Sequence, residues 1–208
     1  MTSNEKIAKL LVPYGFAADE CFSNAVLRYI ELLLQWNRKI SLTTVTDPVE
    51  IVKFHFGESI FALSSVPIRE GRLADVGSGA GFPGMPLAMA KPDLHVTLIE
   101  SNAKKAAFLS EAVRELGLRN VRVAHNRMES FRTDADSFDV VAARAVGKYE
   151  DILQWAAERL SDHGKLVLWL GESDALGISK QKSWKWGPPS LIPNSKRRFL
   201  LVGGPAGS

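Results

Sequence analysis

Three glycines at alternate positions, Gly77, Gly79 and Gly81, follow a short apolar run over residues 73–76, and an acid, Asp75, stands two residues before the first of them. A helix-like segment over 85–90 comes next. Glycines at this spacing let a backbone turn sharply and come close to a ligand. In an open α/β sheet they stand where a parallel strand hands over to a helix, the usual ligand crevice. A second acid, Glu100, closes the next apolar run over 96–99, where a carboxylate can hold a ribose diol.

Two kinds of cofactor fit a nucleoside crevice of this type. Dinucleotides use Gly-x-Gly-x-x-Gly, so that a helix N-terminus faces the pyrophosphate. Here the spacing is Gly-x-Gly-x-Gly, and Asp75 repels a pyrophosphate but can orient an ammonium. S-adenosylmethionine has an amino-acid end and no phosphate, so the pattern favours it. The plainer alternative is a glycine turn that only packs strand on helix; three glycines with two placed acids weigh against it.

The elements that must position these residues follow from periodicity. From residue 72 onward strands and helices alternate, which predicts a parallel sheet. Strands are expected over 73–76, 95–99, 121–125, 138–142 and 165–170. Helices are expected over 83–90, 102–116 and 149–160, the last closed by His163-Gly164. Two late strands near 182–186 and 198–202 should pair as an antiparallel hairpin. The first third reads helical: Phe22, Val26, Tyr29, Ile30, Leu33, Leu34 and Ile40 recur at 3.6-residue spacing. Asn37 shares that face, and a buried amide must be hydrogen-bonded, so it is expected to tie the helix end to the next loop. Asp47 is placed to cap a helix with Pro48 at its first position, running over 49–63. The division expected is an N-terminal helical extension over 1–70 and a Rossmann-like domain over 71–208.

Composition bounds the rest. At 208 residues, 46% hydrophobic and 24% charged, the chain reads as one soluble globular domain with extensions. No apolar run reaches membrane-spanning length, and no signal peptide is read at the N-terminus. Cys21 is the only cysteine, so there is neither an internal disulfide nor a cysteine metal cluster, which fits a reducing cytoplasm. The four histidines lack ligand spacing, and no metal is expected. The net charge of +3 is uneven: residues 175–208 hold Lys180, Lys182, Lys185, Lys196, Arg197 and Arg198 and no acid. Such a segment can contact nucleic acid. It can equally be an edge hairpin whose lysines discourage edge-to-edge pairing.

Beyond the cofactor class, the chain resembles the bacterial 16S rRNA (guanine-N7)-methyltransferases, the RsmG (GidB) family. The residues that carry the resemblance begin with Trp36-Asn37, Leu42-Thr43, Asp47-Pro48, His55 and Ser59. They continue with Asp75-Val-Gly-Ser-Gly-Ala-Gly-Phe-Pro-Gly-Met-Pro86, Lys104, Glu115-Leu-Gly-Leu118, Asn120-Val121, Arg127, Glu129 and Phe131. Phe138-Asp139 and Ala143-Arg-Ala145 complete the series, in order, between about 28 and 171. The resemblance implies a class I S-adenosylmethionine-dependent methyltransferase fold and transfer of a methyl group to N7 of one guanine in the decoding-region loop of 16S rRNA. It implies that Gly77 and Phe82 line the cofactor pocket, that Met128 and Glu129 flank the adenine, and that Arg144 meets the cofactor near the transfer point. The implied partner is the small ribosomal subunit, and the implied enzyme is a cytoplasmic monomer. The chain departs from the family pattern at Ser41, where Asn is usual, at Glu58, where Asp is usual, and at Leu170, where Lys is usual.

The acceptor chemistry agrees with what is missing. N7 of guanine has an exposed lone pair and no proton to lose, so transfer needs alignment and not a general base. No Asn-Pro-Pro-Tyr-like sequence follows the fourth strand, as it does in enzymes that methylate exocyclic amines; the text there is Ala142-Ala-Arg-Ala-Val146. Arg144, Trp36 and Phe82 are candidates to stack on the guanine. Two other readings stay open: a cofactor-binding, RNA-associated protein without catalysis, and a small-molecule methyltransferase.

Overall fold

In the computed structural model, which describes residues 3–66, 68, 70–132, 137–144, 147 and 149–206, one sheet organises the chain. Ala145 and Val146, singled out above, lie outside the described residues. The strands are β1 (Gly71–Val76), β2 (Leu94–Glu100), β3 (Val121–His125), β4 (Phe138–Arg144), β5 (Leu160–Gly171), β6 (Trp184–Trp186), β7 (Ser190–Leu191) and β8 (Arg198–Pro205). They lie in the order β3-β2-β1-β4-β5-β8-β6, with β7 also paired to β8. The first five pair in parallel, and β8 runs antiparallel to β5, β6 and β7. The order reverses between β1 and β4, so the crevice at that switch point opens over the ends of these two strands.

Alternation along the strands separates two cores. Leu73, Leu98, Val140, Ala142, Val167 and Trp169 face one, and Ala74, Val76, Ile99, Val141, Ala143 and Leu168 face the other. Both faces are covered, which is why these strands read as continuous apolar runs. The first core is roofed by α1 (Asn4–Leu11), α2 (Glu20–Asn37), α3 (Pro48–Ile51), a π-helical turn (Val52–Gly57), α4 (Glu58–Ile60), α5 (Ala62–Ser65), α6 (Gly84–Ala90) and α7 (Ala103–Leu116). The second is roofed by α8 (Tyr149–Ala157) and α9 (Glu172–Ile178).

Local chemistry explains the boundaries that matter for the site. Asp19 caps α2 by accepting from the Phe22 N–H at 2.7 Å, and the helix buries Phe22, Val26, Tyr29, Ile30 and Leu33. It ends at Asn37, so Ile40 lies past it. The Asn37 amide makes the expected tie, accepting from Leu42 N at 2.8 Å and Thr43 N at 3.0 Å and donating to Thr43 O at 2.8 Å. Asp47 caps α3 through the Glu50 N–H at 3.0 Å, with Pro48 at the first position. The single helix expected over 49–63 is instead divided by the π turn and by a turn at Phe61. Gly57, in the π turn, lies so close to the Tyr14 ring that a Cβ there would strike it.

Three boundaries past residue 145 differ from expectation. The helix predicted over 149–160 stops at Ala157. His163-Gly164 lies within β5, which starts at Leu160 and carries an irregularity where pairing passes from Phe138↔Leu160 to Val140↔Lys165. The late strands pair antiparallel as expected, but β8 inserts between β5 and β6. Helix α9, which was not foreseen, fills the space after β5.

Candidate active site

The chain leaves β1 at Val76 and enters a loop in which Gly77, Gly79 and Gly81 have φ of 70°, 57° and 82°. These are left-handed conformations in which a side chain is strained. The glycines have different neighbours. A Cβ on Gly81 would meet Met85 at 2.6 Å and the Tyr29 hydroxyl at 2.7 Å, so this position is set by packing. A Cβ on Gly79 would meet only the Gly77 carbonyl, at 3.8 Å, so space stands open in front of it. The Tyr29 hydroxyl donates to the Ala80 carbonyl and anchors the loop from the helical side.

Both acids singled out above hold this loop. The Asp75 side chain is fully buried, and its Oδ2 accepts from Gly84 N, at the start of α6, at 3.0 Å. Its Oδ1 has no hydrogen-bond partner in the protein. Burial pushes the carboxyl up to about 7. Glu100 Oε2 accepts from Gly79 N at 2.8 Å and Oε1 from Asn102 N at 2.7 Å.

A cavity of about 250 Å³ opens beside the loop, over the C-terminal ends of β1, β2 and β3. Val76, Ile99, Met128 and Ile152 give it apolar walls. Ser101, Asn126, Glu129 and Asp151 give it polar groups, and Gly77 forms part of its floor. A flat heterocycle with a few edge donors and acceptors suits such a lining. Of the residues named from sequence as cofactor-binding, Gly77, Met128 and Glu129 line this cavity, while Asp75, Gly79, Phe82, Glu100 and Arg144 are not among its lining residues. Ser101, Asn126 and Asp151 were not anticipated. The first two directly follow strand ends, a positional signal that was available; Asp151 is hidden because an acid in a helix's first turn reads as an ordinary dipole partner.

Phe82 and Arg144 belong to a second cluster, on the helical side of the loop. The Phe82 ring stacks on the His55 imidazole, with centroids 4.6 Å apart and planes at 25°, and meets Tyr29 and Phe56 edge-on. Arg144 leaves the end of β4, donates to Phe54 O at 2.7 Å and pairs with Glu58 at 3.0 Å. Glu58 is 1% exposed and is also paired with Arg198 of β8 at 2.8 Å. Its backbone carbonyl accepts from the Trp169 indole at 2.6 Å. Burial raises the Glu58 carboxyl, and the two guanidinium groups oppose that rise. Arg144 Nη1 is buried without a partner. Trp36 stands elsewhere, packed edge-on against Phe108 of α7.

Several residues of the sequence pattern are structural. Asn120 Nδ2 donates to the carbonyls of Ala88, Lys91 and Leu94, tying the turn after α6 to β3. Asp139 accepts from Arg72 N at 2.8 Å, and the Ser59 hydroxyl donates to His55 O at 2.6 Å.

Comparison with known proteins places this geometry. The family model described as rRNA small subunit methyltransferase G matches residues 23–185. A "Ribosomal RNA small subunit methyltransferase G" of Xanthomonas oryzae pv. oryzae is 42% identical over 154 residues, covering 74% of this chain and 71% of the relative. One of the same description from Nitrosospira multiformis is 39% identical over 178 residues, covering 82% and 81%. Among solved structures, a SAM-dependent methyltransferase from Aquifex aeolicus matches with a TM-score of 0.61 at 18% identity, over 76% of this chain and 93% of that one. A precorrin-6y C5,15-methyltransferase from Geobacter metallireducens matches with a TM-score of 0.60 at 15% identity, over 80% and 91%. At these identities the solved structures speak for the Rossmann-like methyltransferase fold alone.

Proposed function

The chain belongs to the rRNA small subunit methyltransferase G family, and from that premise we propose that it methylates N7 of one guanine in the decoding-region loop of 16S rRNA. It is an S-adenosylmethionine-dependent methyltransferase. When bound, the cofactor supplies a methyl group already activated on a sulfonium. The residues present fit it. The apolar walls and polar rim of the 250 Å³ cavity would take the adenine, which Gly77, Met128 and Glu129 would hold. Glu100 and the Gly79 loop receive the ribose. The unpartnered Asp75 Oδ1 and Arg144 Nη1 are two buried polar atoms of opposite sign, suited to an ammonium and a carboxylate.

One observation carries the acceptor assignment. The residue at the end of β4 is a buried guanidinium held by Glu58 and by Phe54 O, not a proton acceptor. N7 would offer its lone pair to that methyl group and has no proton to lose, so no residue here need remove one. What the protein must provide is alignment and the exclusion of water. Phe82, Phe56 and Tyr29 keep the helical side of the loop apolar.

The division into a helical extension over 1–70 and a Rossmann-like body over 71–208 belongs to the same proposal: the body takes the cofactor and the extension supplies Phe54, His55 and Glu58 on the acceptor side. The partner is 16S rRNA in the small subunit, met by a cytoplasmic monomer. Among the described residues no helix is long and apolar enough to cross a membrane, and no cluster of ligating side chains is placed to hold a metal.

The test is incubation of the protein and tritiated cofactor with 30S particles, with naked rRNA and with a metabolite pool. Label in 16S rRNA is expected, and borohydride reduction with aniline should then break that RNA at one guanine. Label in small molecules alone indicates a small-molecule methyltransferase, and label in none indicates an RNA-associated protein without catalysis. A methyl group on an exocyclic amine, a ribose or a pyrimidine overturns the N7 assignment.

A further inference from the structure

The peptide at the centre of the glycine loop is held by a residue of the helical extension. Ala80 stands between Gly79 and Gly81, both with positive φ. Glycine has more backbone freedom than any other residue, so a loop of this composition does not fix its own shape. Contacts from outside must fix it. On the sheet side, Glu100 Oε2 accepts from Gly79 N at 2.8 Å. On the helical side, the Tyr29 hydroxyl of α2 donates to the Ala80 carbonyl. Among the described residues that hydroxyl is the only hydrogen-bond partner of this carbonyl. Ala80 is buried, so a carbonyl that lost the hydroxyl would not be met by water without movement of the loop.

Tyr29 is itself fixed. It is fully buried, and its ring meets Phe56, Phe82 and Phe108 edge-on, with centroids 5.6, 5.6 and 5.9 Å away. These three rings come from the π turn, the glycine loop and α7. The missing Cβ of Gly81 leaves the space that the hydroxyl occupies. Burial, and then the nearby Asp75 carboxylate, raise the pKa of the hydroxyl, so it remains a donor. A side chain this deep offers no surface to a ligand, and its effect on one passes through Ala80.

We infer that Tyr29 is a positioning residue for S-adenosylmethionine: by holding the Ala80 carbonyl it keeps the glycine loop in the form that receives the cofactor, so the helical extension serves the cofactor end of the site as well as the acceptor side. This rests on the proposed placement of the cofactor at the Gly79 loop. Without the hydroxyl, the loop gains shapes in which Ala80 O turns toward water. Apparent affinity then falls with the fraction of protein whose loop is still in the receiving form. Once the cofactor is bound the loop is back in place, and the groups at the end of β4 are untouched. The loss therefore falls on cofactor affinity and not on the transfer step.

The experiment combines calorimetry with S-adenosylhomocysteine, steady-state kinetics on 30S particles and thermal melting. Gly79→Val tests the placement first: affinity equal to wild type puts the cofactor elsewhere and defeats the parent reading before Tyr29 is in question. With that placement in hand, Tyr29→Phe keeps the ring and its three aromatic contacts and loses only the donor. It is expected to weaken S-adenosylhomocysteine by about 5- to 30-fold and to raise the KM for S-adenosylmethionine by the same factor. The kcat at saturating cofactor and the KM for 30S particles should stay within a factor of two. Tyr29→p-aminophenylalanine restores an N–H donor at the same place and should recover the affinity. Tyr14→Phe is the control, since Tyr14 is a buried tyrosine of the same extension whose ring packs on Gly57 of the π turn. It should leave cofactor affinity unchanged whatever it does to the melting temperature. A Tyr29→Phe protein that melts earlier but binds within a factor of two of wild type has lost only stability, which overturns the inference. An equal loss of affinity in Tyr14→Phe, or no recovery with p-aminophenylalanine, overturns it as well.

Discussion

Glu100 Oε2 accepts a hydrogen bond from the Gly79 N–H at 2.8 Å, so the acid that ends β2, which we propose as the ribose acceptor, also shapes the glycine loop. Its other oxygen caps the next turn through Asn102 N. Removing the carboxylate therefore takes an acceptor from the ligand and loosens the loop that presents the rest of the site.

Glu100→Ala is expected to weaken S-adenosylmethionine and S-adenosylhomocysteine by the same factor. A charge-assisted hydrogen bond is worth about 1.5–3 kcal/mol, or roughly 10- to 150-fold in affinity. Glu100→Gln, which keeps one acceptor, should lie between. Calorimetry with both ligands is the check, and a loss confined to one of them places Glu100 at the methyl end.

The loop glycines should separate by assay. Gly77→Val and Gly79→Val are expected to abolish cofactor binding in a folded protein, since each has positive φ and Gly79 faces open space. Gly81→Val should instead lower the melting temperature, because its side chain collides with Tyr29, Met85 and Leu109. Cofactor affinity retained within a factor of two in the first pair moves the cofactor elsewhere.

Asp75 gives a proton signature. Its folded pKa of about 7 lies above the ordinary 3.8, so between those values the folded protein holds a proton that the unfolded chain has lost. That contribution favours the fold at low pH and disappears as pH rises through 7. An ammonium placed against the carboxyl reverses the shift, so cofactor binding at pH 7 should release about half a proton. Calorimetry in two buffers of different ionisation enthalpy measures it. Release should vanish in Asp75→Asn, whose side-chain oxygen can still accept from Gly84; no release in the wild type sinks the ammonium assignment.

The arginine pair should divide into structure and chemistry. Glu58→Ala leaves Arg144 buried and unpaired and is expected to cost about 3–5 kcal/mol in unfolding free energy. Arg198→Ala should cost less than about 1 kcal/mol, because Arg198 is 46% exposed and Glu58 keeps Arg144. Arg144→Ala should abolish aniline cleavage at the target guanine. Cleavage at full rate in that variant leaves the acceptor in place and removes Arg144 from the transfer point.

Strand register sorts the basic C-terminal segment. Arg198 pairs with Gly171 at the crevice end of β5, whereas Trp184 pairs with Pro205 toward the other end. Lys196 and Arg197 are the candidates for binding phosphate, and Lys180, Lys182 and Lys185 are not. Charge reversal at Lys196 and Arg197 should weaken RNA binding without changing cofactor affinity. The slope of log affinity against log salt should become shallower by about 0.7 for each phosphate that is no longer neutralised. An unchanged slope returns the turn to the role of a solvated edge.

Much of this was legible in the chain. The alternation of apolar runs with amphipathic segments fixes a parallel sheet, and the cap at Asp47 and the tie at Asn37 follow from hydrogen-bonding rules that act over a few residues. The three glycines and two acids mark the turn between β1 and α6 for the same reason. What stayed hidden is long-range. The bond between His55 and Thr43, the sharing of Glu58 by residues 144 and 198, and the insertion of β8 depend on segments far apart in sequence. The π turn was also unreadable, because it breaks the 3.6-residue period on which helix assignment rests. Phe82, assigned to the cofactor pocket by resemblance, stacks on His55, a pairing no local pattern encodes.

The placement of β8 bears on how the protein can fail. Strand β5 has β4 on one side and β8 on the other, and β8 lies last in chain order. Until residues 198–205 arrive, β5 presents Leu166, Val167, Leu168, Trp169 and Leu170 with one row of backbone groups unpaired, a template for pairing with another chain. Loss of those few residues would therefore do more than trim an end: it would turn the buried strand β5 into an open edge, and self-association would be the expected fate.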